Sequence, residues 1–131
     1  MSEADRVDYF IALDEYGLTP KEVRAVAESD NRIPMPPGDY KFKIDASWIE
    51  GWGVVATAVI LAGEIIAPAR LSGLRTAVGR FTNHAVTPNA LMMLQEDGDL
   101  DLVAILFINQ GEEITIDYRQ IMQLNGLKKV K

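Results

Sequence analysis

The chain has 131 residues, 48% of them apolar and 24% charged, with a net charge of −6 and no cysteine. That length fits one domain with a real core; the acidic balance argues against a binder of nucleic-acid backbone, which needs a basic stripe; and the lack of cysteine removes disulfides, thiolate zinc sites and cysteine nucleophiles. No apolar run is long enough to cross a bilayer, and the acidic opening Met1-Ser2-Glu3-Ala4-Asp5 lacks the regions of a secretory leader, so the cytoplasm is the expected compartment.

The first thirty residues read as a helical hairpin. Ser2 is placed to cap a first helix with Asp5 at its third position, Val7, Phe10, Ile11 and Leu13 offer an apolar face, and Gly17 is a stop. Thr19-Pro20-Lys21-Glu22 opens a second helix: Thr19 caps, Pro20 occupies the first turn, and Glu22 reaches back. Val23, Val26 and Ala27 share its apolar face. Ile33-Pro34-Met35-Pro36-Pro37-Gly38-Asp39 excludes helix and reads as an extended linker. Beyond it the pattern turns to strands: Tyr40–Ile44, Val54–Ala58, Glu64–Ala67 after a Leu61-Ala62-Gly63-Glu64 turn, Leu91–Leu94, Leu100–Phe107, and a last strand carrying Ile114 and Ile116. Asp97-Gly98 between two apolar runs predicts a hairpin. Gln120–Leu124 suits a last helical turn stopped by Asn125-Gly126. Pattern alone gives a mainly β domain with a helical N-terminal extension.

Few residues offer chemistry unaided. His84 is the chain's one histidine; a lone histidine is more often structural, but this one lies in an irregular polar segment, where sites concentrate. A metal centre is not expected, since no second ligand stands at suitable spacing. Asp97, Asp99 and Asp101 alternate like the start of a calcium loop, yet Leu102 stands where that loop needs glycine. Glu112 and Glu113 would point to opposite faces of a strand, so they read as a solvated strand entrance rather than an acid–base pair. Gly51-Trp52-Gly53 lacks the third glycine of a dinucleotide fingerprint. Tyr118 closes an apolar strand, where a tyrosine is usually core or rim.

Four segments in order change this reading. Gly51-Trp52-Gly53-Val54, Ala62-Gly63-Glu64-Ile65-Ile66, Arg80-Phe81-Thr82-Asn83-His84 with Pro88-Asn89-Ala90, and Gly111-Glu112-Glu113-Ile114-Thr115-Ile116-Asp117-Tyr118 together resemble the signature of the SET-domain protein lysine methyltransferases. In its small size and missing cysteines the chain resembles the minimal zinc-free SET proteins of viruses, phages and bacteria more than the large chromatin enzymes. The resemblance implies a SET β-clip with a knot-like crossing, with residues 1–36 as helical extension and linker, 37–119 as the SET domain and 120–131 as a short tail.

The resemblance also implies a reaction: methyl transfer from S-adenosylmethionine to a protein lysine. By the same resemblance, Gly51, Trp52 and Gly53 form a backbone cradle for the methionine end of the cofactor, Asn83 hydrogen-bonds that end, the main chain of His84 reads the adenine, and Arg80 and Phe81 belong to the same cofactor site. Tyr118 is the catalytic hydroxyl. Ile116 stands in the substrate channel, at the position that bears on how many methyl groups fit. The acidic charge suits a basic protein or peptide substrate. Ala85-Val86 replace the Ser-Cys common after Asn-His in the family. Without a zinc-bound segment, the wall of the cofactor pocket must come from residues 119–131, from the N-terminal hairpin, or from a second copy in a homodimer. The competing reading is a SET-fold module that binds protein without catalysis.

Overall fold

Two helices open the chain, α1 over Glu3–Glu15 and α2 over Pro20–Ala27. The computed structural model describes residues 3–27, 31–47, 49 and 51–131, without the side chains of residues 24, 26 and 27. The expected cap at Ser2 and the Val26–Ala27 part of the expected apolar face lie outside the described residues. Thr19 caps α2 as its sequence predicts: its hydroxyl accepts from the Glu22 N–H at 3.2 Å and donates to the Glu22 carboxylate at 3.0 Å. Gly17 ends the first helix with φ +68°, a backbone shape that costs glycine little.

The inward face of α1 is not the expected one. Val7, Phe10 and Ile11 stay about half exposed, whereas Ala12, Leu13 and Tyr16 are buried. The docked face runs Asp5, Asp8, Tyr9, Ala12, Leu13 and Tyr16, a helical stripe that begins with two acids. Both acids find partners on the body: Asp5 accepts from the Val86 N–H at 2.8 Å, and Asp8 meets His84 and Arg119. Those bonds fix the rotation of the helix and turn its purely apolar side outward.

The body is two four-stranded sheets. One has the order β1 (Phe42–Ala46), β2 (Trp52–Ala56), β8 (Glu113–Ile116), β5 (Asn83–His84); the other has β4 (Leu74–Arg75), β3 (Ile65–Leu71), β7 (Leu100–Ala104), β6 (Ala90–Leu94). Between β4 and β5 lies a five-residue helix, α3 (Ala77–Phe81), and after β8 comes α4 (Tyr118–Leu124). The core between the sheets is aliphatic, with Val54, Val78, Leu102, Ile108 and Ile114 fully buried. A smaller cluster of Leu13, Tyr16 and Met122, with Val23 against it, glues the helical hairpin to α4.

β7 stops at Ala104, short of the expected Phe107, because the Ile105 N–H leaves the ladder for the Asn89 carbonyl at 2.9 Å. α4 starts two residues earlier than expected, since Asp117 caps it and accepts from the Arg119 N–H at 2.9 Å. α3 and the two-residue strands have too little sequence to show a period.

Candidate active site

Pairing within the first sheet gathers the motifs. β8 is central: it pairs antiparallel with β2, Val54 facing Ile114, and parallel with β5, Asn83 facing Thr115 and His84 facing Ile116. Three segments separated widely in sequence thus lie side by side. Asn89 fixes the arrangement, because its amide donates to the Glu113 carbonyl at 2.9 Å and accepts from the Thr115 N–H at 2.8 Å. The Pro-Asn pair therefore serves as a side-chain splint along β8.

The Asn83 amide nitrogen donates to the Trp52 carbonyl (3.0 Å), the Ser47 hydroxyl (3.0 Å) and the Glu113 carboxylate (2.9 Å). Ser47 donates to that carboxylate at 2.7 Å. Gly53 lies against the group: a Cβ there would stand 2.6 Å from Glu113 Oε2 and 3.2 Å from Ser47 Cβ. Glu113 is thus half-buried and engaged rather than a solvated strand entrance, while Glu112 points away to Asn109. The alternation of a strand demanded that one of the two face inward. The Gly51–Gly53 turn offers backbone here, and Trp52 is 60% exposed.

His84 is buried and tied at both nitrogens. Nδ1 accepts from the Tyr118 N–H at 3.0 Å, and Nε2 lies 2.7 Å from Asp8 Oδ2. The Arg119 guanidinium grips Asp8 with two nitrogens, at 2.8 and 3.0 Å, and Glu15 at 2.8 Å. Arg119, against the cost of burial and with help from His84, pulls the Asp8 carboxyl down from an ordinary 3.8 to about 2. A depressed carboxyl stabilises the fold above its unfolded pKa and loses that contribution as pH falls through the folded value. Wild type should therefore exceed Asp8→Asn in urea stability by on the order of 2 kcal/mol at pH 5 and above. The difference should shrink between about pH 4 and pH 2; a gap unchanged across that interval would refute it.

Tyr118 is half-buried, with its ring against Tyr9 and His84. Its hydroxyl donates to the Thr82 carbonyl at 3.0 Å. Burial pushes this phenol well above its ordinary value, and Tyr9 and Glu113 act in the same direction. It is therefore a neutral donor at physiological pH. Tyr118, Thr82, Ile116, Arg75 and Arg80 line a cavity of about 480 Å³, within the usual range for small-molecule sites. Leu18, Glu22 and Val23 of the N-terminal hairpin and Leu127 beyond α4 complete its wall. The hairpin and the C-terminal residues thus contribute to this cavity, whereas Gly51, Trp52, Gly53, Asn83 and His84 do not line it. The Arg80 guanidinium stacks over Phe81 at 4.7 Å, with its Nε buried and without a partner among the described residues. Burial and the charge of Arg32 lower its pKa.

A family model for the SET domain matches residues 68–119. Over that span the chain is similar to the SET domain. Its fold is similar to a Plasmodium falciparum chain named for histone methyltransferase activity, at TM-score 0.54 and 23% identity over 62% of this chain and 95% of that one. It is also similar to a humanized mutant of the Chaetomium thermophilum Polycomb Repressive Complex 2 bound to an inhibitor, at TM-score 0.52 and 18% identity, over 62% of this chain and 15% of that one. No curated protein matches the chain. The matched span of the SET model holds Arg80, Phe81, Asn83, His84, Ile116 and Tyr118; Gly51–Gly53, Ser47 and the whole of α1 lie before it. Sequence reasoning passed over Ser47 and Asp8, which lie outside every motif, and gave no role to Thr82, which lies within one. Among the described residues no helix is long and apolar enough to cross a membrane, and no cluster of three or more histidine or acidic side chains is placed to hold a metal.

Proposed function

We propose that this domain transfers a methyl group from S-adenosylmethionine to the side-chain amine of a lysine in a protein or peptide. The observation that carries the reading is the neutral Tyr118 hydroxyl on the wall of the cavity, its proton committed to the Thr82 carbonyl. With its proton so engaged, the oxygen has lone pairs to accept an N–H from an incoming amine and to aim the nitrogen.

The residues fit the cofactor. The buried Arg80 Nε offers a donor suited to a carboxylate, and Gly53 presents backbone pressed against Glu113 and Ser47, too close for any side chain. When bound, S-adenosylmethionine supplies an electrophilic methyl on a cationic sulfur. Gly51, Trp52 and Gly53 cradle its methionine end through backbone, Asn83 orients it, His84 contributes main-chain groups, and Arg80 and Phe81 flank it.

The amine must arrive neutral, whereas a free lysine has a pKa of about 10.4. Ile116, Met92 and Leu100 line the cavity with apolar surface, and Arg75 and Arg80 add positive charge to it. Desolvation and like charge both disfavour the ammonium, so the proton leaves to water and no dedicated base is needed. Alignment of the reactants is worth about 7–11 kcal/mol. The net charge of −6 favours a basic segment around the target lysine.

Calorimetric titration with S-adenosylmethionine tests the reading. Wild type should bind saturably, and Asn83→Ala should bind at least about tenfold more weakly, the effect of losing one good hydrogen bond to a charged ligand. A folded wild type that binds no cofactor would sink the proposal and leave the non-catalytic protein-binding module.

A further inference from the structure

We infer that Asp8 is a positioning residue for Tyr118, acting through the tautomer of His84. The inference rests on the reading of Tyr118 as the residue that aims the amine. Asp8 lies on α1, 60 residues before the span matched by the SET model.

Tyr118 is the first residue of α4, so its N–H has no partner within the helix. His84 Nδ1 is the acceptor that satisfies it, at 3.0 Å. An N–H can be accepted only by a nitrogen with a free lone pair, so the ring proton must sit on Nε2. Two carboxylates compete for that proton. Asp8 Oδ2 is 2.7 Å from Nε2, and Asp117 Oδ1 is 3.8 Å from Nδ1. Asp8 wins because it is closer and because Arg119 holds both of its oxygens in place. Tyr9 and Tyr118 cover the ring with aromatic surface, and the imidazole is almost fully buried, so water is a poor substitute for Asp8.

Without Asp8 the proton moves to Nδ1, toward Asp117, and a donor then faces the Tyr118 N–H donor. The start of α4 shifts, and the phenol that hangs from it loses its aim at the Thr82 carbonyl. A helix that merely clasped the body would stabilise it without touching this proton.

His84 is the chain's one histidine, so long-range ¹H–¹⁵N correlation spectra report its tautomer without assignment. The test compares wild type, Asp8→Ala, Asp8→Asn and Asp5→Ala. Wild type should show a protonated Nε2 and a bare Nδ1. Asp8→Ala should shift the proton toward Nδ1 and move the Tyr118 amide resonance; kcat should fall about 10- to 100-fold, the scale of a misplacement of about an ångström. The cofactor Kd should stay within about threefold, since cofactor binding is not what the tautomer sets. Asp8→Asn keeps an acceptor for Nε2–H and should restore the tautomer and most of kcat. Asp5→Ala removes another α1 anchor, the bond to Val86 N–H, and should lower Tm while leaving the ring and kcat alone.

An unchanged tautomer in Asp8→Ala, or a kcat that follows Tm equally in the Asp5 and Asp8 variants, overturns the inference. Should Asp8→Ala not fold, the wild-type spectrum still decides, because a proton on Nδ1 contradicts the scheme. A wild type with no methyl transfer defeats the proposed function instead, while the spectra judge the positioning claim by themselves.

Discussion

Replacing Tyr118 with phenylalanine should lower the rate of methyl transfer about 10²- to 10³-fold, the usual cost of removing one preorganised polar group at a reacting centre. The ring would keep its packing against Tyr9 and His84, and the backbone bond to His84 Nδ1 does not involve the hydroxyl. What disappears is a single oxygen, along with its donation to the Thr82 carbonyl. The loss of that bond should cost about 1 kcal/mol of stability, too little to explain a hundredfold change in rate. Single-turnover rates with saturating cofactor, beside calorimetric Kd values, separate the possibilities. A rate within about fivefold of wild type at unchanged Kd would remove Tyr118 from the chemistry.

Gly79→Ala should produce the largest loss of stability. A Cβ at Gly79 would overlap the carbonyl oxygen of Ala69, which is backbone and has nowhere to go. That carbonyl already accepts from the Thr76 N–H at 3.0 Å and the Thr76 hydroxyl at 3.3 Å, and Thr76 in turn caps α3 by accepting from the Gly79 N–H at 3.3 Å. Either α3 lifts off β3 or the cap breaks. Overpacking of this kind costs about 3 kcal/mol, or roughly 10 °C in Tm for a domain of this size. α3 leads directly into Arg80 and Asn83, so cofactor affinity should fall with it. Calorimetric melting provides the check; a Tm within about 2 °C of wild type would mean that the close approach is not obligatory.

Much of this architecture was legible in the sequence, for reasons that differ by element. The hairpin at Asp97-Gly98 and the Thr19-Pro20 helix start depend on local turn and cap chemistry, so they read correctly. β8 read correctly because Ile114 and Ile116 alternate toward one core. The face of α1 did not: its orientation is chosen by Arg119 and His84, more than 70 residues away, and no local pattern encodes that. The motifs around Asn83 and Tyr118 are brought together by the pairing of β5 with β8, but Ser47 and Asp8 join them only through tertiary contact. Glu113 shows a finer limit, since strand alternation says that one of two adjacent acids faces inward without saying which.

The bonds that join α1 to the body span 76, 104 and 111 positions of sequence. During synthesis α1 leaves the ribosome about 100 residues ahead of Arg119, an interval of roughly 5–20 s. Thirteen residues make a helix that is marginal in water by itself, so for that time the acids of α1 have neither counter-ion nor settled shape. Contacts of such long range also form slowly in refolding. Closure around His84 is therefore a late event in the life of each molecule, and a nascent chain that has not yet exposed Arg119 has every motif residue up to Tyr118 and still no assembled cluster around that ring.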